Sequence, residues 1–406
     1  MLGGYFAWSN SAGFNMLFKL SSRILMTAAI YLISRRIAHR GAIASFKWEN
    51  KLSPLLYIAY LGLGLLSLLW STDVAYSVLQ WVMDMTSLVF AYYFIGCFVM
   101  LDRYFPNHPI RMYKILGHAI FILIGIFVIG FFTHPTAFMR MTHEGEEYRL
   151  GGFMMNPNEL GMLAGVGMAC YMLCLYQKGY RAWTLIKIFI LLFAVVLTGS
   201  RSTIIGVLII AFYHINQSSK RWLKIAMYAA GAMALPLVVN TLIIKSAANG
   251  GLGEVMSMTG RLPFWTALVT EALPKEPLLG YGFQRIYYTL YFSGVHTYSA
   301  SMAHNTFLQA LMNLGLIGFA IVLLQFFFTM RAFVLTRDMK LKLMTASILI
   351  PVMINSFTEF GIFGETNYGI LLYQVLIFYL SLRINPRLSS LEKLFLRKKR
   401  PDLIPV

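Results

Sequence analysis

The stretch that decides the fold is residues 114–132, which read KILGHAIFILIGIFVIGFF. After Lys114 it contains no aspartate, glutamate, lysine or arginine. An α-helix of about 20 apolar residues spans the hydrocarbon core of a bilayer. The stretch therefore predicts a transmembrane helix.

Comparable apolar stretches recur along the chain. Hydrophobic residues make up 58% of the 406 positions and charged residues 12%, which leaves too little polar surface for a soluble protein of this size. We predict an all-α, polytopic transmembrane bundle of about 11–12 spans that forms a single integral membrane domain, 1–406. The predicted spans are 14–34, 53–70, 77–99, 114–132, 159–176, 183–198, 203–216, 223–244, 305–330, 341–358 and 367–383. Lys19 and Arg23 interrupt the first, which is also compatible with an interfacial helix or two short pieces.

Basic residues predict the orientation of the bundle. The net charge is +18, but the charges are spread between apolar segments, so the pattern argues against a nucleic-acid partner. Every second connection is basic, and the segment after Arg383 is strongly so. By the positive-inside rule this segment is cytoplasmic. The remaining connections then face outward, including 133–158, the turn 199–202 and a long loop at 245–303.

The long loop 245–303 is the strongest candidate for a functional segment, since long ordered loops are more often functional than decorative. Its composition predicts a short helix at about 262–273. His304 follows directly, before a predicted span. A histidine at the positive end of a helix dipole can stay neutral and accept a proton, although it is also compatible with an interfacial histidine bonded to a backbone carbonyl.

Arginines are few on the predicted outer face, and Arg201 is the most constrained of them. Arg261 precedes an amphipathic stretch in the long loop, where an arginine taken alone is also compatible with a solvated residue. Arg201 lies in a turn between two spans. There it can bind an anion, pair with a carboxylate or snorkel to lipid headgroups. Two arginines and one base suit a substrate with a phosphate or diphosphate leaving group and an acceptor hydroxyl.

Metal and nucleotide chemistry have no motif in this sequence. The three cysteines fall inside apolar segments, and there is no D-x-D, no H-x-x-x-H and no glycine-rich phosphate loop. We therefore expect neither a metal nor a cofactor.

Three motifs in order resemble those of the bacterial O-antigen ligases and the related Wzy-type polymerases. The first is Thr198-Gly199-Ser200-Arg201-Ser202. The second is TGRLPFW at 259–265, continued by PLLGYG at 277–282. The third is His304-Asn305, nine further residues and GLIG at 315–318, which resembles H-[NSQ]-x9-G-x-x-[GTV]. The resemblance is good over about 149–330.

The resemblance implies a periplasmic glycosyltransferase of the bacterial inner membrane. As an O-antigen ligase it would move a glycan from undecaprenyl diphosphate to a lipid A–core sugar hydroxyl, with inversion and without a metal. Its partners would be the lipid-linked donor, the core or glycan acceptor and membrane lipids. The chain shows about eleven spans where ligases usually have twelve.

The resemblance also assigns roles to residues. Arg201 and Arg261 would bind the diphosphate, and His304 would orient or deprotonate the acceptor hydroxyl. Arg149, Asn305 and Asn156 would be further substrate contacts, with Arg149 the less specific placement.

Two alternatives stay open. A Wzy-type polymerase would use another lipid-linked repeat as the acceptor, and no residue separates it securely from a ligase. A non-catalytic transporter or flippase would carry charges near the midplane, where Asp84 is the only acidic residue well inside a predicted span.

Overall fold

The structure is a computed structural model that describes residues 1–39, 46–71, 73–104, 111–142, 147–178, 181–217, 221, 224–225, 228–229, 261–283, 302–357 and 361–384. Its α-helices are α1 (Ala12–His39), α2 (Leu52–Leu66), α3 (Val74–Tyr104), α4 (Met112–Thr133), α5 (Pro135–Phe138), α6 (Pro157–Lys178), α7 (Ala182–Thr198), α8 (Arg201–Asn216), α9 (Arg261–Ala267), α10 (Thr306–Leu335), α11 (Met339–Ser356) and α12 (Tyr368–Ser381). Short 3-10 turns at Leu2–Tyr5, Ser67–Leu69 and Leu273–Lys275, and a π-helical turn at Leu268–Ala272, complete the helical part.

Strands are few and short in the described residues. β1 (Phe46–Trp48) pairs antiparallel with β4 (Leu382–Ile384), with Lys47 opposite Arg383. β2 (Met139–Thr142) and β3 (Glu147–Leu150) form a second antiparallel pair, with Arg140 opposite Arg149.

The chain is a polytopic helical membrane protein, as its apolar stretches predict. Among the described residues, six helices are long and apolar enough to cross a bilayer: α1, α2 with its 3-10 extension, α3, α4, α6 and α10. Shorter apolar helices are α7, α8 and α12. A helix covers ten of the eleven predicted spans to within a few residues, and the predicted span 223–244 lies almost wholly outside the described residues.

The first helix, α1, is continuous over its 28 residues and is neither broken nor split. Arg23 is only 1% exposed, and its guanidinium carbon lies 4.1 Å from the centroid of the Tyr5 ring. Of the two charges that interrupt the apolar pattern, Arg23 is therefore directed at the protein, on the helix that packs on α3, and Lys19 is half-buried. The lipid-facing side of the helix keeps its apolar residues, among them Leu17, Leu25 and Leu32.

Helix α6 lies at the centre of one group of helices and packs against α4, α7, α8 and α11. In a second group, α10 packs on α2 and α12 packs on α3. Small residues allow close contacts in the first group: a Cβ on Gly167 would lie 2.6 Å from the Ile120 side chain. Close approach at small residues is a common means of helix association in membranes.

Polar side chains inside the bundle bind one another. Asp84 is fully buried, and its Oδ1 accepts hydrogen bonds from the Tyr57 hydroxyl at 3.2 Å and from the Gln374 amide. Ser53 and Thr329 share a hydrogen bond of 2.6 Å. These bonds satisfy groups that would be costly to leave unpaired in a membrane interior, whereas Asp84 Oδ2 and Gln374 Oε1 have no hydrogen-bond partner within the described residues.

The connections gather at two ends of the bundle. We call one end of the bundle the loop end. Four segments there contact one another or the adjoining helix termini: 147–157, 198–201, 277–283 and 302–306. For example, the Gly361 N–H donates to Thr306 Oγ1 at 3.0 Å. At the opposite end, the strand end, β1 meets β4. The described parts of the connections that the charge pattern predicts to face outward thus lie at one end of the bundle.

Candidate functional site

Arg201 begins α8 directly after a tight turn. Gly199 has φ +59°, a conformation that suits glycine, and it ends α7. Ser200 caps α8 by accepting a hydrogen bond from the Thr203 N–H at 3.4 Å. Arg201 is exposed, and within the described residues its guanidinium makes no hydrogen bond or ion pair. A cationic side chain and the positive end of a helix dipole therefore share one position, which suits an anion.

Arg149 lies behind this turn and supports it. Its side chain is 9% exposed; Nε donates to the Thr198 carbonyl at 2.6 Å, and Nη2 donates to Asn158 Oδ1 at 2.6 Å. A Cβ added at Gly199 would lie 3.3 Å from Arg149 Nε. The guanidinium thus joins the end of α7 to the start of α6. These contacts position the backbone that carries Arg201, whereas the substrate contact expected of Arg149 stays a prediction.

Asn156 precedes α6 and acts as its cap. Its Oδ1 accepts a hydrogen bond from the Asn158 N–H at 2.9 Å, just before Pro157 starts the helix. The structure therefore gives Asn156 a structural role, and its expected contact with substrate also stays a prediction.

Arg261 starts α9, and the helix continues through the π-helical turn to Ala272. This matches the short helix expected at about 262–273. Phe264, Leu268 and Ala272 are buried against Leu311 and Met312 of α10. Arg261 itself is half-buried, at the N-terminal end of a helix docked on the loop end.

His304 has an unusual backbone conformation. Its φ is +49°, and it is the only non-glycine residue with positive φ among the described residues. Such a conformation persists only where the surroundings hold it, and it is common at functional sites. The side chain is half-buried at the entrance to α10.

Both backbone polar groups of Ala303, the residue before His304, form hydrogen bonds with side chains. The Trp265 indole N–H of α9 donates to the Ala303 carbonyl at 2.7 Å. Gln309 Oε1 of α10 accepts from the Ala303 N–H at 2.9 Å, and Gln309 Nε2 donates to Asn313 Oδ1 at 2.7 Å. Trp265 lies one helical turn after Arg261, so the hydrogen bond from Trp265 to Ala303 links the segment of Arg261 to that of His304.

Asn305 caps α10. Its Oδ1 accepts from the Phe307 and Leu308 N–H groups at 3.0 and 3.1 Å, and its Nδ2 donates to the Phe357 carbonyl at 3.4 Å. An asparagine or serine after the histidine is what a helix N-cap requires. This capping explains the second position of the motif without a ligand, and the expected substrate contact of Asn305 stays a prediction.

Gly315, near the end of the histidine motif, lies where the PLLGYG segment of the long loop, residues 277–282, docks on α10. Gly315 has φ +61° and kinks α10. The freed N–H groups of Leu316 and Ile317 donate to the Pro277 and Leu278 carbonyls at 2.8 and 3.3 Å. A Cβ at Gly315 would lie 2.3 Å from the Leu278 carbonyl. The PLLGYG segment and the GLIG segment are therefore two halves of one docking contact.

The structure brings Arg201, Arg261 and His304 to the same end of the bundle. Gly206 of α8 packs against Ile354 of α11, since a Cβ added at Gly206 would lie 3.5 Å from Ile354 Cδ1. Asn305 bonds to Phe357 at the end of the same helix. The helices that start at Arg201 and beside His304 thus meet at the end of α11. The rest of the long loop, 245–260 and 284–301, lies outside the described residues.

Trp265 and Gln309 are positioning residues that the sequence motifs contain but do not explain. Trp265 belongs to the quoted TGRLPFW segment, and Gln309 falls within the nine unspecified residues of the histidine motif. A signal for Trp265 is its indole N–H, which usually finds a hydrogen-bond partner when the side chain is buried. No sequence signal indicates the role of Gln309, because it binds the backbone N–H of Ala303, which every residue except proline has.

Comparison with known proteins finds a family match over the part of the chain that contains these residues. Residues 186–323 match the family described as O-antigen ligase, about a third of the 406-residue chain. The matched region contains Arg201, Arg261, His304 and Gly315, whereas Arg149 and Asn156 precede it. The resemblance to the O-antigen ligase and Wzy-type superfamily is thereby confirmed. A search of curated proteins finds no match to this chain.

Proposed function

We propose that the protein is an O-antigen ligase: a periplasmic, inverting and metal-independent glycosyltransferase of the inner membrane that moves a glycan from undecaprenyl diphosphate to a lipid A–core sugar hydroxyl. The observation that carries the proposal is the assembly at the loop end, where the hydrogen bond from Trp265 to Ala303 joins the segments of Arg261 and His304. Arg201 is exposed at the same end. The match over residues 186–323 agrees with it.

The surface beside Arg201 suits a lipid-linked anion. Ile204, Ile205 and Leu208 follow it along α8 and are 41%, 53% and 62% exposed. An arginine and a helix N-terminus thus stand at the end of an apolar stripe that faces lipid. A polyprenyl chain would lie along that stripe with its diphosphate at Arg201, and the rest of the diphosphate would reach Arg261.

In the proposed reaction the acceptor oxygen forms a bond to the anomeric carbon of the donor glycan. The bond from that carbon to the diphosphate oxygen breaks, and the diphosphate leaves with the electron pair. Arg201 and Arg261 stabilise the charge that develops on it. His304 takes the proton of the acceptor hydroxyl. Attack from the face opposite the leaving group inverts the anomeric centre.

The test is a reconstituted assay with the lipid-linked glycan donor, with and without a lipid A–core acceptor. A ligase gives glycan joined to core, and its activity requires the acceptor. We expect His304→Ala to lower the transfer rate by about 100-fold or more, since it removes the base. His134→Ala is the matched control, because His134 is an exposed histidine between α4 and α5 at the same end.

Other results would contradict the proposal in distinct ways. Elongated lipid-linked glycan made without core would identify a Wzy-type polymerase. Movement of the donor across the bilayer without any transfer would identify a transporter. Full ligase activity in His304→Ala would remove the role assigned to His304.

A further inference from the structure

A separate feature lies at the strand end, at the opposite end of the helices from the loop end. A cavity of about 440 Å³ opens where α10 ends and α11 begins. Its lining combines the arginines Arg331 and Arg337 with the apolar side chains of Phe328, Leu335, Leu341 and Leu380. Cationic and apolar groups therefore share one concave surface.

The acidic side chains of this lining are already engaged. Asp338 Oδ1 caps α11 by accepting from the Lys340 and Leu341 N–H groups at 2.9 and 3.4 Å. Glu49 Oε2 pairs with Arg383 Nε at 3.1 Å, and Arg383 Nη1 donates to the Tyr379 and Leu382 carbonyls at 2.8 Å each. The third arginine, Arg383, is thus used to fix β4.

The positive charges of Arg331 and Arg337 are not neutralised by the acidic side chains of the cavity lining. Both are exposed, and within the described ranges neither makes a hydrogen bond or an ion pair. The sequence that follows Ile384 carries six lysines and arginines against two acidic residues. The surroundings therefore favour an anion from outside the chain.

We propose that this cavity binds the phosphate headgroup of an anionic phospholipid. The two guanidiniums would hold the phosphate, and the apolar lining would contact the first part of an acyl chain. Basic pockets between transmembrane helices at the membrane surface are suited to such headgroups. The ligand differs from the lipid diphosphate of the proposed reaction, and it occupies the other end of the bundle.

The experiment is native mass spectrometry of the full chain in detergent, titrated separately with phosphatidylglycerol and phosphatidylcholine. We expect the protein to retain phosphatidylglycerol selectively. In the double variant Arg331→Gln/Arg337→Gln, affinity for phosphatidylglycerol should fall about 10-fold or more. Arg181→Gln/Arg221→Gln is the control, because it removes the same charge from exposed arginines outside the cavity.

Three outcomes would overturn the proposal. They are unchanged retention in the Arg331/Arg337 variant, an equal loss in the control variant, and equal retention of the two lipids. A further titration adds inorganic phosphate to the lipid-bound protein. Complete displacement of the lipid by phosphate would assign the cavity to a free anion and would also overturn the proposal. Elution volume and thermal unfolding of each variant confirm that the folds compared are intact.

Discussion

Three arginines at the loop end, Arg140, Arg149 and Arg201, occupy three different surroundings. Arg149 is buried and bonded to the protein at both Nε and Nη2. Arg201 is exposed at the start of α8, and Arg140 is exposed on β2 opposite Arg149. Because lysine keeps the charge but loses the planar fork, arginine-to-lysine changes separate geometry from charge.

We expect Arg201→Lys to lower transfer by about 10- to 100-fold while thermal unfolding stays unchanged, since only the contact with the diphosphate is altered. Arg149→Lys should lower stability by about 1–3 kcal/mol, because a buried carbonyl or amide loses its partner, and activity should fall with it. Rates come from the transfer assay and stability from thermal unfolding in detergent.

Arg140→Lys is the control for both variants and should change neither quantity. If Arg149→Lys left stability unchanged while activity fell, Arg149 would contact substrate, as the sequence predicts. If Arg201→Lys unfolded at a lower temperature, the exposed position of Arg201 would be wrong.

The sequence singles out polar residues for one site, and the structure places their segments at the same end of the bundle; what each side chain contacts is not readable from the sequence. Arg201, Arg261 and His304 stand out because charge on an outer, apolar-flanked segment needs a reason. The resemblance implies substrate contacts for Asn156 and Asn305, which stay predictions; their helix-capping bonds are visible only once the helix starts are known. The positive φ of His304 has no signature in a one-letter pattern.

At the scale of elements, the kink at Gly315 is the point where the long loop docks on α10. The contact is made by backbone groups on both sides: Tyr281 N–H donates to the Met312 carbonyl at 2.9 Å and Gly282 N–H to the Asn313 carbonyl at 2.8 Å. Farther along, Phe283 N–H donates to Ser67 Oγ at 3.0 Å. The loop is therefore bound to both α10 and the end of α2.

Gly315→Ala should disrupt this docking. Gly315 has φ +61° and ψ −164°, a region that is nearly restricted to glycine, so an alanine there costs about 1–3 kcal/mol, and the added methyl would also press on the Leu278 carbonyl. We expect a lower unfolding temperature and a loss of transfer activity, measured in detergent and in the reconstituted assay.

Gly125→Ala is the matched control, since a Cβ at Gly125 of α4 meets nothing within 4 Å. It should leave stability and activity close to those of the unaltered chain. Equal stability of the two alanine variants would contradict the docking role of Gly315.

Helix limits were predictable because a membrane imposes length and hydropathy on each span separately. The docking of residues 277–283 was not, because it depends on backbone groups of another element rather than on a periodic pattern. Arg23 illustrates the same limit: its charge suggested a break in α1, but the helix stays whole because Tyr5 and α3 cover that side chain.

At the scale of the whole molecule, the two ends carry different chemistry. The loop end holds the candidate site, and the strand end holds β1, β4 and the basic cavity. The alternation of basic connections predicts that the loop end faces the periplasm and the strand end faces the cytoplasm.

Cysteine labelling tests this orientation. In a chain whose buried cysteines Cys97, Cys170 and Cys174 are replaced, single cysteines go to Tyr148 at the loop end and Met339 at the strand end, which are 65% and 44% exposed. A membrane-impermeant maleimide added to intact spheroplasts should label Tyr148→Cys. Met339→Cys should react only after permeabilisation. The reverse pattern would place the proposed site in the cytoplasm and exclude the ligase mechanism.

The late position of α12 in the chain has a consequence for biogenesis. Gln374 of α12 binds Asp84 across 290 residues of sequence, and β4 directly after α12 supplies the partner of β1. A ribosome delivers α3 long before α12. The groove that α12 fills must therefore stay open through most of synthesis, and the Asp84 carboxyl group in it lacks its Gln374 partner until then. Insertion of the last described helix, rather than of the first, closes the bundle.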